Sequence, residues 1–339
     1  MKILVTGGTG YIGSHTVVEL FNAGYEVIIV DDLSNSDRRI LGQIEKITGK
    51  TPSFVELNLC DEEKVIQFAE EHRDITGIIH FAAFKAVGES VQNPLMYYRN
   101  NFFSLINILT AFNSKIKLVF SSSCTVYGQP DSLPVTESAP VKQAESPYGN
   151  TKQIAEEILK ETCNVQPGLE VIVLRYFNPV GAHHSALIGE LPNGVPQNLV
   201  PFITQSAIGK RDAITVYGND YNTIDGSAVR DYIHVTDLAI AHVAALKRLE
   251  SRSSGNYEVF NVGTGKGTSV LEIINAFEQS TGEKLNYKIG ARREGDVEQT
   301  FGDVTHANDV LGWKAELDIN EMMRSAWNWE KYIKENPFS

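Results

Sequence analysis

Short runs of β-branched and aliphatic residues alternate with amphipathic stretches through the first half of the chain. Strand-like runs fall at Lys2–Thr6, Glu26–Val30, Ser53–Leu57, Gly77–Phe81, Lys117–Ser121 and Leu169–Arg175. Helical periodicity occupies Tyr11–Ala23, Asp61–Glu71, Pro94–Phe112 and Pro147–Thr162. Alternation of this kind predicts parallel strands joined by crossover helices. Ile3–Val5 and Val27–Val30 are apolar without a polar face, as expected of strands covered on both sides. In Pro94–Phe112, core packing is expected to account for much of the stripe Leu95, Phe102, Leu105, Ile106 and Leu109. The helix at Pro147 has a readable start, because Ser146 can cap it and proline suits the first helical position.

After Arg175 the rhythm breaks. Asn178–Val200 is rich in Gly, Pro, Asn and His and reads as loop. Helix signals follow at Pro201–Gly209, Val235–Leu249, Ser269–Thr281 and Ile319–Lys334, with strand signals at Ala213–Val216, Val259–Val262 and Leu285–Lys288. The pattern predicts a doubly wound parallel α/β domain over residues 1–177 and a smaller mixed α/β lobe over 178–339, partly interwoven with the first. No internal repeat or low-complexity tract interrupts either part.

Length and composition narrow this picture. The chain's 339 residues suit two modest domains or one large domain with a lobe, and 42% hydrophobic with 21% charged residues is an ordinary globular balance. A net charge of −12 argues against nucleic acid or an anionic membrane as partner. The three cysteines, Cys60, Cys124 and Cys163, form no C-x-x-C pair, which predicts no disulfide framework and a reducing cytoplasm. The chain opens on a strand, so no signal peptide is expected, and no apolar run approaches the ~18 residues of a membrane span. His183, His184 and His234 come without a cysteine or carboxylate ligand pattern, so no metal site is expected, and His80 is expected to pack at a strand end.

The first chemical signal is Gly7-Gly8-Thr9-Gly10-Tyr11-Ile12-Gly13, between the first strand and the first helix. Glycines at 7, 10 and 13 allow a tight turn, a close approach to pyrophosphate and close helix–strand packing. The helix N-terminus then offers free N–H groups to phosphate. Asp31 ends the second strand about twenty residues on, where a carboxylate accepts ribose hydroxyls and repels a 2′-phosphate. This Rossmann-type arrangement predicts NAD over NADP. The alternatives are an empty βα turn, and a capping role for Asp31 and Asp32; Arg38 and Arg39 are the nearest groups for a 2′-phosphate.

The second signal is Tyr148-Gly149-Asn150-Thr151-Lys152. Tyr148 and Lys152 are four apart and share a helix face. An ammonium beside a phenol favours the phenolate, and an oxidised nicotinamide ring would add positive charge. Taken with the glycine turn and the run Ser121-Ser122-Ser123, the pair resembles the extended short-chain dehydrogenase/reductase family. Phe120-Ser-Ser-Ser-Cys-Thr-Val-Tyr-Gly128, Lys85-Ala-Val-Gly-Glu-Ser90, Arg175-Tyr-Phe-Asn-Pro-Val-Gly-Ala182, Val229-Arg-Asp-Tyr-Ile-His-Val235 and Arg292-Arg-Glu-Gly-Asp296 narrow the likeness to the UDP-glucose 4-epimerases, nearly end to end and in the same order.

The resemblance implies a mechanism. Tyr148 would take the proton of the sugar 4-hydroxyl while C4 passes hydride to NAD, with Lys152 and Ser123 assisting. The 4-keto sugar would turn within the site and receive the hydride on its opposite face, so NAD stays bound and is regenerated. Cofactor positions carry over to Gly7, Gly10, Tyr11, Ile12, Gly13, Asp31, Asp32, Leu33, Ser34, Asn35, Ser36, Asn58, Leu59, Phe81, Ala82, Ala83, Phe84, Lys85, Asn100, Ser123, Tyr148, Lys152 and Phe177. UDP-sugar positions carry over to Lys85, Ser123, Tyr148, Asn178, Asn198, Leu199, Thr215, Val216, Tyr217, Arg230, Arg293, Asp296 and Thr300. Arg230 and Arg293 would meet the diphosphate, for which a guanidinium fork is suited. Tyr217 would stack near the uracil.

Three positions depart from relatives. Asn58 stands where many have Asp, and its oxygen can still accept from the adenine amine. Cys124 follows the active serine where alanine is frequent, and is expected to be a buried thiol. Thr300 replaces a tyrosine of some bacterial relatives, which would leave room for an N-acetyl group at C2. The resemblance also places the helices near 94–112 and 147–162 at a homodimer interface. Two rival readings are a nucleotide-sugar 4,6-dehydratase and a non-catalytic dinucleotide sensor. The first needs an Asp-Glu pair where this chain has Cys124-Thr125, and the second would not need both Tyr148 and Lys152.

Overall fold

The computed structural model describes residues 1–112, 115–252, 256–293 and 297–338. Seven parallel strands form the central sheet: β1 (Lys2–Thr6), β2 (Glu26–Asp31), β3 (Ser53–Glu56), β4 (Ile75–His80), β5 (Ile116–Ser123), β6 (Leu169–Tyr176) and β7 (Tyr257–Val262). Their spatial order is β7-β6-β5-β4-β1-β2-β3. The direction of winding reverses between β1 and β4, which opens a crevice at the carboxyl ends of these strands. This is a Rossmann-type doubly wound sheet.

Helices cover both faces of the sheet and build much of the second part. They are α1 (Tyr11–Asn22), α2 (Arg39–Thr48), α3 (Glu62–Glu71), α4 (Val87–Gln92), α5 (Pro94–Ala111), α6 (Pro147–Val165), α7 (Leu199–Ala207), α8 (Val235–Ser251), α9 (Val270–Thr281), α10 (Thr305–Leu311) and α11 (Ile319–Glu335). Alternate residues of β1 enter different cores, as the strand period requires. Ile3 and Val5 pack with Val17, Leu20, Ile29 and Leu246 under α1, α2 and α8. Leu4 packs with Val65, Ile78, Leu105, Leu159 and Val173 under α3, α5 and α6. A third core, with Ile203, Val216, Phe277, Met323 and Trp327, holds the C-terminal lobe.

Several elements differ from the sequence expectation. Helix α2 begins at Arg39 after the N-cap Arg38, which gives no side-chain cap, and contains Gly42, so it has no start signal. Helix α10 spans 7 residues, too few to show a period. The segment expected to be loop from Asn178 opens with the strand Asn178–Val180, paired in parallel with Tyr232–His234. The Val259–Val262 run, expected in the smaller lobe, is β7 and pairs with β6 at the edge of the main sheet. Two members of the α5 stripe do not enter the core: Leu95 is 82% and Ile106 40% exposed.

Five imidazoles lie inside the molecule. Burial pushes His15 and His80 down to about 3, and His183, His234 and His242 down to about 4, from an ordinary 6.5. His80 ends β4 and bonds Thr6 Oγ1 at 2.9 Å. Between these values and 6.5 the unfolded chain binds more protons than the folded one. Stability from these groups is therefore complete above pH 6.5 and is lost as pH falls, by up to ~1.4 kcal/mol per pH unit for each histidine. Urea unfolding should give a higher midpoint at pH 7.5 than at pH 5.5. Equal midpoints would show that these imidazoles are not held neutral.

Candidate functional site

The glycine-rich turn lies between β1 and α1 at the crevice. Gly7 has a φ of +68°, and a Cβ there would stand 3.0 Å from Ala82 N. A Cβ on Gly13 would stand 2.2 Å from the Gly7 carbonyl oxygen. Gly10 occupies the N-cap of α1 with no side-chain cap, so the first N–H groups of the helix remain available to an anion. This cradle fits a dinucleotide pyrophosphate.

Two carboxylates shape the rim at the end of β2. Asp31 Oδ2 accepts from Thr9 N at 3.1 Å, while Oδ1 accepts from Leu33 N at 3.0 Å and Ser36 Oγ at 2.9 Å. Asp32 Oδ1 accepts from Ser34 N at 3.0 Å and Ser34 Oγ at 2.6 Å. Neither aspartate caps a helix, since the N-cap of α2 is Arg38. Arg38 is paired with Glu56 and Arg39 with Asp37, so both candidate 2′-phosphate ligands face carboxylates. Asn58 Oδ1 accepts from Cys60 N at 2.8 Å, which leaves less of this oxygen for adenine than the sequence suggested. Asn35, at the same rim, accepts from Asn193 Nδ2 at 2.9 Å across the crevice. The Tyr11 hydroxyl donates to Gly181 O at 2.7 Å, tying α1 to the second part of the chain.

Beyond the turn, β5 ends in Ser121-Ser122-Ser123 and passes into a short 3₁₀ turn, Cys124–Tyr127. Ser123 Oγ accepts from Thr125 N at 3.2 Å and Thr125 Oγ1 at 3.0 Å. Tyr148 stands in the first turn of α6, whose cap Ser146 Oγ accepts from Gly149 N at 3.1 Å. Burial, with Tyr176 adding, raises the Tyr148 phenol far above its usual value, and a hydrogen bond with Ser123 pulls the other way. Burial pushes Lys152 down to about 8, partly offset by Glu156. Lys152 Nζ donates to Ser121 O at 2.6 Å and lies 6.0 Å from the centre of the Tyr148 ring. The expected lowering of the phenol by the ammonium is thus outweighed by burial, and the lysine is directed at the strand carbonyl. The neighbouring Cys124 is only partly buried, short of the buried thiol expected, although desolvation still pushes its thiol up to about 12.

The residues expected on the substrate side gather in two groups. In the first, Lys85 Nζ and Asn198 Nδ2 both donate to Glu190 Oε1, at 3.1 and 2.8 Å. In the second, Asp231 joins three positions through its backbone. Asp231 O accepts from Asn178 N at 3.0 Å and Asn178 Nδ2 at 3.1 Å, Asp231 N donates to Thr300 O at 3.0 Å, and Arg230 precedes it in the chain. Its buried carboxylate accepts from Thr264 N, Thr264 Oγ1 and Gly265 N at 2.8, 2.7 and 3.0 Å. Thr300 is 8% exposed. Tyr217 is exposed and carries the Arg293 guanidinium 4.4 Å from its ring centre. Val216 is buried in the lobe core, so only its backbone can face a ligand. Leu199 opens α7. Asp296 lies outside the described residues. Sequence reasoning missed Glu190, which carries no local pattern, and Asp231, whose only signal is its place beside Arg230.

The chain matches the family model described as GDP-mannose 4,6 dehydratase over residues 4–326. It is 49% identical to the UDP-glucose 4-epimerase of Drosophila melanogaster, covering 97% of this chain and 96% of that one. It is 48% identical to that of Bacillus subtilis, covering 97% of each. A solved UDP-glucose 4-epimerase from Stenotrophomonas maltophila, with bound NAD and formylated UDP-arabinopyranose, superposes with a TM-score of 0.96 at 46% identity and 99% coverage of both chains. Another from Bifidobacterium longum, in complex with NAD+ and UDP, gives a TM-score of 0.93 at 45% identity and 99% coverage of both.

The chain belongs to the UDP-glucose 4-epimerase family.

The likeness of this family member to its relatives runs through both parts of the chain and includes the Rossmann-type sheet and the crevice. Among the described residues no helix is long and apolar enough to cross a membrane. The contact between Gly7 and Gly13 gives a direct prediction. Gly13→Ala forces the turn away from α1 and should lose about 1–3 kcal/mol of unfolding free energy by urea titration. An unchanged midpoint would mean that the turn can move at no cost.

Proposed function

We propose that this chain interconverts UDP-glucose and UDP-galactose by reversible oxidation at the sugar C4, with NAD bound throughout. The observation that carries the reading is the convergence of Ser123, Tyr148 and Lys152 at the carboxyl edge of the sheet, beside the glycine-rich turn, in a member of this family. Tyr148 accepts the proton of the sugar 4-hydroxyl and returns it to that oxygen after the keto sugar has turned to present the opposite face of C4. Ser123 holds the reacting oxygen next to the phenol. Lys152, fixed on Ser121 O, supplies a positive charge close to it. When bound, NAD would supply the hydride acceptor and donor, and the positive charge of its oxidised ring would favour the phenolate form of Tyr148. Gly7, Gly10, Gly13 and Asp31 hold its pyrophosphate and ribose in the first part of the chain, 1–177.

The second part, 178–339, holds the UDP-sugar. Arg230 and Arg293 supply the diphosphate contacts and Tyr217 a flat surface for uracil, while the side chains of Lys85, Asn178, Asn198 and Thr300 border the hexose. The short Thr300 side chain extends the reading to N-acetylated hexoses. A dehydratase reading lacks support, since Cys124–Tyr127 carries no carboxylate. A sensor reading leaves the buried Tyr148–Lys152 pair without a task. The three free cysteines suit a reducing cytoplasm.

We also propose a homodimer through α5 and α6. On α5, Leu95, Met96, Phe103 and Ile106 are 82, 39, 45 and 40% exposed, a concentration of apolar surface that a second copy of this helix pair would cover.

Purified protein denatured in alcohol should release NAD, and the native protein should epimerise UDP-galactose without added cofactor. Tyr148→Phe should keep its NAD and lose about 10²–10⁴-fold in kcat. Full activity in that variant would remove Tyr148 from the reaction. The same assay with UDP-N-acetylgalactosamine tests the Thr300 pocket, and no turnover would end that extension. Light scattering at micromolar protein should give twice the chain mass, and Phe103→Glu should shift it toward one. A wild-type mass of one chain would refute the dimer.

A further inference from the structure

A buried ion pair stands directly behind the candidate catalytic groups. Glu156 of α6 and Arg175 of β6 have side chains only 8% and 7% exposed. Glu156 Oε2 accepts from Arg175 Nη2 at 2.5 Å, and Oε1 accepts from Arg175 Nε at 3.0 Å. Burying two charges costs much of what their attraction returns, and apolar residues of similar size often give equal stability. Stability alone is therefore a poor account of the pair, and its connections suggest another.

Tyr148, Lys152 and Glu156 follow one another at four-residue steps on one face of α6. Each engages a different member of the serine run at the end of β5. Tyr148 meets the Ser123 hydroxyl, Lys152 Nζ meets Ser121 O at 2.6 Å, and Glu156 Oε1 accepts from Ser122 Oγ at 2.5 Å. Arg175 carries the tie to the far side of Ser123. Its Nη1 donates to the Tyr127 hydroxyl at 3.1 Å and to Glu137 O at 3.3 Å. Tyr127 closes the 3₁₀ turn that starts after Ser123, and it donates onward to Asn261 Oδ1 of β7 at 2.7 Å. Ser123 thus lies between two residues held in one buried network, while the same network grips the helix that carries Tyr148 and Lys152.

We propose that Glu156 and Arg175 are positioning residues of the epimerase site, a carboxylate–guanidinium fork that sets Ser123, Tyr148 and Lys152 relative to one another. This inference rests on the epimerase reading above. The pair also acts through charge. The titratable and charged groups around Lys152 and Tyr148 are Glu156 on the same helix, His80 on β4, Tyr176 and Arg175 on β6, and Cys124 and Tyr97 nearby. Burial keeps His80 neutral. Glu156 is accordingly the one carboxylate among these groups that favours the ammonium form of Lys152. Removing its charge leaves Arg175 uncompensated and makes the ammonium easier to lose.

The test compares wild type, Glu156→Gln, and the double variant Glu156→Leu with Arg175→Met. Wild-type turnover of UDP-galactose is the control: its absence would refute the epimerase reading, not this one. Glu156→Gln should keep NAD and KM while kcat falls about 10–100-fold, the scale of a small misplacement of reacting groups. The alkaline limb of its kcat–pH profile should move down by about half a pH unit or more. The double variant should recover the urea midpoint yet stay slow. If Glu156→Gln does not accumulate as folded protein, the double variant carries the comparison alone. Wild-type kcat and pH profile in Glu156→Gln would overturn the proposal. So would activity that returns in step with stability in the double variant.

Discussion

The approach of α1 to β1 through the glycine turn is the constraint from which the rest of the molecule follows. A Cβ at position 13 would lie 2.2 Å from the carbonyl at position 7, so helix and strand meet at backbone distance. That contact aims the helix N-terminus along the carboxyl ends of the strands. It also fixes where the winding reverses, between β1 and β4. The candidate site residues arrive at the same edge from other strands: Asp31 from β2, Ser123 from β5, and Phe177 just after β6. Each comes at the end of a strand whose middle residues are largely apolar and buried.

Placing this edge in a dry interior has an electrostatic consequence. Burial drives the Tyr148 phenol and the Lys152 amine toward their neutral forms, which opposes the ion pair that the proposed proton abstraction needs. The chain meets this with fixed dipoles and one opposed charge. Ser123 bonds the phenol, the Ser121 carbonyl receives the ammonium, and Glu156 lies one turn further along the helix. Charge is treated differently on the substrate side. Glu190 collects Lys85 and Asn198 on one oxygen, and Asp231 organises Asn178 and Thr300 through its peptide groups while its carboxylate turns inward to Thr264 and Gly265.

Much of this was legible in the sequence where local chemistry is periodic or punctuated. Strand β1 and the starts of α1 and α6 were readable to the residue, because the glycine turn and the Ser146-Pro147 pair are unambiguous signals. Short elements were not readable. Asn178–Val180 and Tyr232–His234 exist because they pair with each other, a long-range fact that three residues cannot announce. Leu95 and Ile106 were read as core because periodicity reports an apolar face without saying what covers it. The site was legible as a set of motifs, but its tuning was not. That Lys152 points at Ser121 O, and that Asn58 spends its oxygen on Cys60, depend on packing between elements far apart in sequence.

The position of β7 has a consequence for how the molecule assembles. The sheet's outer strand is supplied by residues 257–262, after the chain has left the sheet at Tyr176 and built much of the second part. During synthesis, β6 therefore emerges from the ribosome long before its neighbour. Until then its outer edge presents unpaired peptide groups among apolar side chains, the kind of edge that invites association with other nascent chains. The last strand to join the sheet is also the one that covers this edge of β6.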